Sequence, residues 1–230
     1  MTETIAKYTE EEILEIFKEQ HRLCSPLDPE ADPWAEITAE MTVREWRWAN
    51  DLLGWEKLSE FLNQEFRVRI SQEEWHNVLE PARTRKLIEV CRLLSKYAEK
   101  DTYEPKTLFG KPCLKAGVFL TIKNNLQDKG VDVSELRPSS SLTAYMDRYF
   151  SQVLEEITLT GTKPIDKIET RRKKKGFWNA INIFDPDRYQ TLTEDINTFR
   201  DLTEKIIEEK IKTGHNKTYK QSRLAGRYCT

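Results

Sequence analysis

Long apolar runs are missing from this chain. No stretch approaches the about 18 consecutive apolar residues that a membrane-spanning helix needs, so no membrane partner is expected. The opening residues, Met1 to Glu12, are polar and acidic and lack the apolar core of a secretory signal, so the expected location is cytoplasmic. Cysteine is sparse and unpatterned. Cys24, Cys91, Cys113 and Cys229 show no C-x-x-C spacing, and without an export signal they read as reduced thiols rather than a disulfide framework. His21, His76 and His215 are scattered, with no second ligand type at metal spacing, so no metal is expected. Also lacking are a glycine-rich phosphate loop, a nucleophile elbow and a zinc motif. Carboxylates are plentiful, but no spacing among them singles out a catalytic pair. These absences point away from an enzyme.

What is present is helical. The 230 residues suffice for one large domain or two small ones. Hydrophobic residues make up 38% and include six Trp, enough for compact cores and far from the composition of a disordered chain. The net charge of -2 conceals an asymmetry: residues 1–100 carry an acidic excess and the remainder a basic one. Thr9 with Glu12, and Ser71 with Glu74, have the capping-box pattern of a helix start. Ile13, Ile16 and Phe17 follow the first, and Trp75 and Leu79 follow the second until Pro81 stops the helix. Leu58, Phe61, Leu62 and Phe66, then Leu87, Ile88, Cys91 and Leu94, recur at helical spacing. Cys91, on that last stripe, is expected in a core. The stretch 101–112, with Pro105 and Gly110, reads as a linker. Leu114, Val118, Phe119, Ile122 and Leu126 make a further amphipathic helix that Gly130 ends.

Several of these segments, taken together, resemble the acyl carrier proteins. Asp51-Leu52-Leu53 is followed by Glu65-Phe66 and then by Ile70-Ser71-Gln72-Glu73-Glu74. In that family an Asp-Ser-Leu triplet opens the second helix, and the serine carries a phosphopantetheine arm fourteen residues before a Phe. Phe66 lies fourteen residues after Leu52, so the resemblance sets Leu52, which has no hydroxyl, in the serine's place. Gly130-Val131-Asp132 leading to Pro138 and Ser141-Leu142 is similar to a carrier's first loop. Asp195-Ile196-Asn197-Thr198-Phe199-Arg200-Asp201-Leu202 is similar to the entry of a carrier's last helix. The resemblance implies an all-α, mostly helical protein. A four-helix carrier-like module would span 1–100, with the linker at 101–112, a divergent second module at 113–212 and a basic tail at 213–230.

The resemblance further implies a scaffold that has lost its arm, with phosphopantetheine and other cofactors not expected. Such a scaffold would serve as a docking or regulatory module for a protein partner. Carriers meet basic partners through acidic second and third helices, and Glu56, Glu60, Glu65, Glu73 and Glu74 would form that face here. One alternative is a true carrier modified at Ser141, although a serine ahead of a helix is more often a cap. Another is a nucleic-acid-associated protein using the basic run Arg171, Arg172, Lys173, Lys174 and Lys175 beside Phe177 and Trp178. A short charge run is more often a solvated loop, so nucleic acid is not the expected partner. Trp46, Trp48 and Trp55 read either as core packing or as an aromatic contact for a partner; core is the expectation, because Trp is largely buried on average.

Overall fold

Three helices begin where a hydroxyl residue precedes a glutamate by three positions. In α1 (Glu10–Cys24) the Glu12 N–H donates to Thr9 Oγ1 at 3.3 Å and the Thr9 N–H to the Glu12 carboxylate at 2.8 Å. The same reciprocal bonds start α2 (Val43–Ala49) at Thr42 and Glu45, and α4 (Gln72–Leu79) at Ser71 and Glu74. Each satisfies amide donors that the first helical turn leaves without an intrahelical acceptor. Between them lies α3 (Trp55–Glu65), and α5 (Leu87–Tyr97) follows.

In this computed structural model, which describes residues 6–172, 189–193 and 195–212, the chain divides into two units. The first comprises Met1–Thr102 together with Thr158–Gly161. Its core is built from the inward stripes of all five helices: Ile13, Ile16 and Phe17, then Trp46, Leu58 and Leu62, Trp75 and Leu79, and Val90 and Leu94. Phe17 packs on Trp46 with ring centroids 4.9 Å apart. Asn63 ties the turn after α3 by donating to the Ile70 carbonyl and accepting the Ile70 N–H, each at 3.1 Å. Its oxygen also accepts the Trp75 indole N–H at 3.1 Å. Tyr8, ahead of α1, donates its hydroxyl to the Leu159 carbonyl at 2.6 Å, and Leu159 belongs to the same core.

The second unit comprises Tyr103–Ile157 and Thr162–Thr230. It holds α6 (Leu114–Asp128), the start and body of α7 (Leu142–Leu159), and α8 (Phe199–Lys212). The backbone leaves helical geometry at Tyr149 inside α7. Two antiparallel hairpins complete it: β1 (Lys106–Leu108) with β2 (Lys111–Cys113), and β3 (Ile168–Arg172) with β4 (Tyr189–Thr193). The chain is therefore mostly helical but not all-α. The expected linker at 101–112 contains the first hairpin, whose turn places Phe109 and Gly110 at φ +49° and +75°. Positive φ at both central residues is what a two-residue hairpin turn requires.

One arrangement occurs in both units. In the first, Val43 N–H donates to Arg85 O at 2.9 Å, Leu87 N–H to Met41 O at 2.9 Å and Ile88 N–H to Ala39 O at 3.1 Å, around a bridge between Thr42 and Lys86. In the second, Leu142 N–H donates to Asn197 O at 2.9 Å, Phe199 N–H to Ser140 O at 3.2 Å and Arg200 N–H to Pro138 O at 2.7 Å, around a bridge between Ser141 and Thr198. The starts of α2 and α5, and of α7 and α8, are thus zipped by the same three bonds at the same offsets. This pairing makes Thr42 the counterpart of Ser141.

Candidate functional site

The residues that the carrier resemblance singles out are dispersed, and two of them are not where it sets them. Leu52 does not open a helix. It lies in the link from α2 to α3, its N–H bonded to the Arg47 carbonyl at 2.8 Å and its side chain half-buried against the core, three residues ahead of Trp55. The position that matches Ser141 by backbone pairing is Thr42, and Thr42 Oγ1 is committed to the Glu45 carboxylate at 2.7 Å. Ser141 is exposed and caps α7: its Oγ accepts the Ala144 N–H at 3.2 Å and lies 2.9 Å from Thr143 Oγ1.

The expected acidic face loses its central member. Glu56 and Glu60 are exposed on α3, but Glu65 is 1% exposed and accepts a hydrogen bond from the Gln20 amide. Leu58, Leu62 and Glu65 share one stripe of α3, so the periodicity that buries the leucines also buries the glutamate. Glu74 accepts the Tyr97 hydroxyl at 2.6 Å, and that bond, with those from Ser71, holds its carboxyl below the usual glutamate range. In the basic run, Arg171 and Arg172 lie in β3 opposite Gln190 and Tyr189, while Lys173 and the aromatic pair Phe177 and Trp178 fall outside the described residues.

Cys91 is in the core as expected. Burial, with Glu10 as the next contribution, pushes its thiol up to about 12, which leaves it protonated and inert. Among the described residues no group of His, Cys, Asp and Glu could hold a metal ion, and no helix is long and apolar enough to cross a membrane.

The tryptophans depart most from expectation. Trp46 is buried and Trp55 half-buried, but Trp48 is 73% exposed. Helical geometry explains the split. Val43, Trp46 and Ala49 recur at three-residue steps and face the core, which leaves Arg44 and Trp48, four residues apart, together on the opposite face. The Arg44 guanidinium carbon sits 5.3 Å from the Trp48 ring centroid, a cation–π distance. Arg44 N–H donates to Ala82 O at 2.9 Å, which brings Arg83 alongside. On the other side, Asp32 N–H donates to Ala49 O at 3.0 Å and holds the loop that carries Trp34, itself 92% exposed.

Two adjoining concavities, of about 620 and 590 Å³, lie on this face, and Arg44, Trp48 and Arg83 line both. The Arg/Trp pair four residues apart, opposite an apolar stripe, was visible in the sequence as a surface feature. Treating all three tryptophans as a set concealed it. A scan against protein-family models gives no match to this chain, and searches of curated proteins and of solved structures give no significant match either.

Proposed function

We propose that this chain is a non-enzymatic docking module built on two carrier-like helical units, neither of which bears a prosthetic arm. The observation that carries the docking reading is the exposure of Trp48 and Trp34 in the first unit. An indole left in water forgoes a large hydrophobic gain, and Trp and Arg are enriched where proteins meet. The relation between the two units is supported by the shared zipping of their helix starts; the carrier likeness rests on the sequence resemblance alone. The loss of the arm is supported by Thr42 and Ser141, whose hydroxyls both serve as helix caps.

Two measurements test the reading. Co-expression with a phosphopantetheinyl transferase should leave the intact mass unchanged. A mass gain mapping to Ser141 would make the second unit a working carrier instead. Reversible cross-linking in the native host, followed by purification, should recover the chain with a protein partner in stoichiometric amount. A chain that purifies alone at every cross-linker dose would sink the docking reading.

A further inference from the structure

The tip of the β1–β2 hairpin places an apolar residue where the backbone favours a polar one. Phe109 and Gly110 form the two-residue turn, at φ +49° and +75°. Asn, Asp and Gly take such positions readily, whereas a bulky side chain at positive φ is strained. No packing offsets that strain, since the Phe109 side chain is fully exposed and the neighbouring Leu108 is 45% exposed. Two adjacent apolar side chains thus stand at the outer end of the hairpin, in a turn whose local preferences do not call for them.

The charge along the hairpin has one sign. Residues 106–113 include Lys106 and Lys111 and no acid, and both lysines are exposed. Lys111 pairs across the strands with Leu108, and Lys106 lies two residues behind Leu108 on its own strand, about 7 Å along an extended backbone. The nearest acid in sequence, Glu104, lies at the base, where its carbonyl oxygen rests against Gly117 of α6. Lys115, at the start of α6, is paired with Glu204 at 2.7 Å. From the tip inward the order is therefore apolar pair, cation, cation, and only then a carboxylate.

That order matches the layers of an anionic bilayer. Its headgroups hold phosphates, and beneath them lies the acyl boundary, in which surface-seated segments bury apolar side chains about 5–10 Å deep. Lysine stems lie along apolar surface while their ammonium groups stay among the headgroups. A chain without a spanning helix can seat a segment in this way. Nucleic acid would use the Phe109 ring as a stacking platform, but it offers no apolar compartment for Leu108. A convex tip also suits a fluid layer that closes round it. We propose that the β1–β2 hairpin is a membrane-surface contact, in which Leu108 and Phe109 enter the interface of an anionic bilayer and Lys106 and Lys111 meet its headgroup phosphates. The contact belongs to the second unit and does not rest on the docking reading.

The test mixes the full chain with sedimenting vesicles of phosphatidylcholine, alone or with phosphatidylserine. The chain should pellet with the mixed vesicles and remain in solution with the neutral ones, and added salt should release it. Phe109→Asn should weaken binding at least about tenfold and leave the chain folded, because Asn accepts a positive φ. Lys106→Gln should weaken it about fivefold, and Lys96→Gln, on α5, should bind as the parent does. The basic tail at 213–230 is a second route to anionic vesicles, and Phe109→Asn separates the two. If that variant pellets as well as the parent, charge elsewhere carries the binding and the hairpin assignment is overturned. Failure of the parent to pellet at low salt overturns it too, as does Phe109-dependent binding of a single-stranded oligonucleotide in place of vesicles. Each of these outcomes is separate from the cross-linking result on which the docking reading depends.

Discussion

Asn63 shows how much one side chain can hold. Its amide accepts from the Ile70 N–H and the Trp75 indole and donates to the Ile70 carbonyl. Removing it leaves two donors and an acceptor unpaired in a partly or fully buried place, which costs about 1–3 kcal/mol for each group that water cannot reach. Asn63→Ala should therefore lower the unfolding free energy by about 2–4 kcal/mol in urea titrations. A loss under about 0.5 kcal/mol would mean that water replaces the amide. Nothing in the sequence marks Asn63 as special, because its partners come from a turn and from the next helix. Cys91 is the opposite case, legible from its place on an apolar stripe. With its thiol pushed up to about 12, it should be the last described cysteine alkylated in the native chain at pH 8. The sign for stability follows from the same shift. Above the ordinary thiol value, about 8.5, the unfolded chain has lost a proton that the folded chain keeps, so this group's contribution falls as pH rises toward 12. Early modification of Cys91, read by mass spectrometry, would contradict the buried, protonated thiol.

At the scale of elements, the capping pattern was the most reliable text in the sequence. Thr9 with Glu12 and Ser71 with Glu74 were read correctly as helix starts. Thr42 with Glu45 has the same pattern, yet matching Leu52 to a carrier serine put the helix start ten residues too late and hid α2. The zipped helix starts were not legible, because they join residues more than forty positions apart through backbone atoms alone. They do make a clear prediction. Ser141→Ala removes the cap of α7 and should cost the second unit about 1 kcal/mol, measurable by denaturant unfolding followed by circular dichroism. An unchanged midpoint would leave the Ser141 hydroxyl without that structural duty and strengthen the case for modification there. Glu45 and Glu74 cap their helices as anions, with carboxyls held below the usual range by bonds to the Thr42 backbone and the Tyr97 hydroxyl respectively. Their stabilising contribution is present above the ordinary glutamate value, about 4.3, and is lost as pH falls through their lowered values. In the second unit, Gly117 is required by a close approach rather than by backbone conformation. A Cβ there would stand 1.9 Å from the Glu104 carbonyl oxygen. Gly117 was unremarkable in the sequence because its neighbour lies in the stretch read as a linker.

For the molecule as a whole, the sequence reading set the boundary after residue 100; the first unit comprises Met1–Thr102 with Thr158–Gly161. What it could not show is that Thr158–Gly161, the far end of α7 and the turn after it, also belongs to the first unit. Leu159 is buried in that unit's core, and its carbonyl is the acceptor for the Tyr8 hydroxyl. No local pattern announces such a return, since the apolar spacing of α7 continues through Val153, Leu154 and Ile157 without a break. The consequence is that a substitution late in the chain should report early in it. Leu159→Ala should destabilise the first unit by about 2–5 kcal/mol, the range for a buried leucine. Trp fluorescence reads that unit almost alone, because five of the six Trp lie before residue 76 and only Trp178 lies beyond. A fragment ending at Thr102 should show the same weakening, because it lacks both the Leu159 side chain and the acceptor that Tyr8 uses. If Leu159→Ala leaves the Trp transition unmoved while lowering stability elsewhere, Leu159 belongs to the second unit and the division of the chain at Thr158 is wrong. If the fragment is as stable as the parent, the first unit is complete without the returning segment, and the Tyr8 bond contributes nothing that water does not supply.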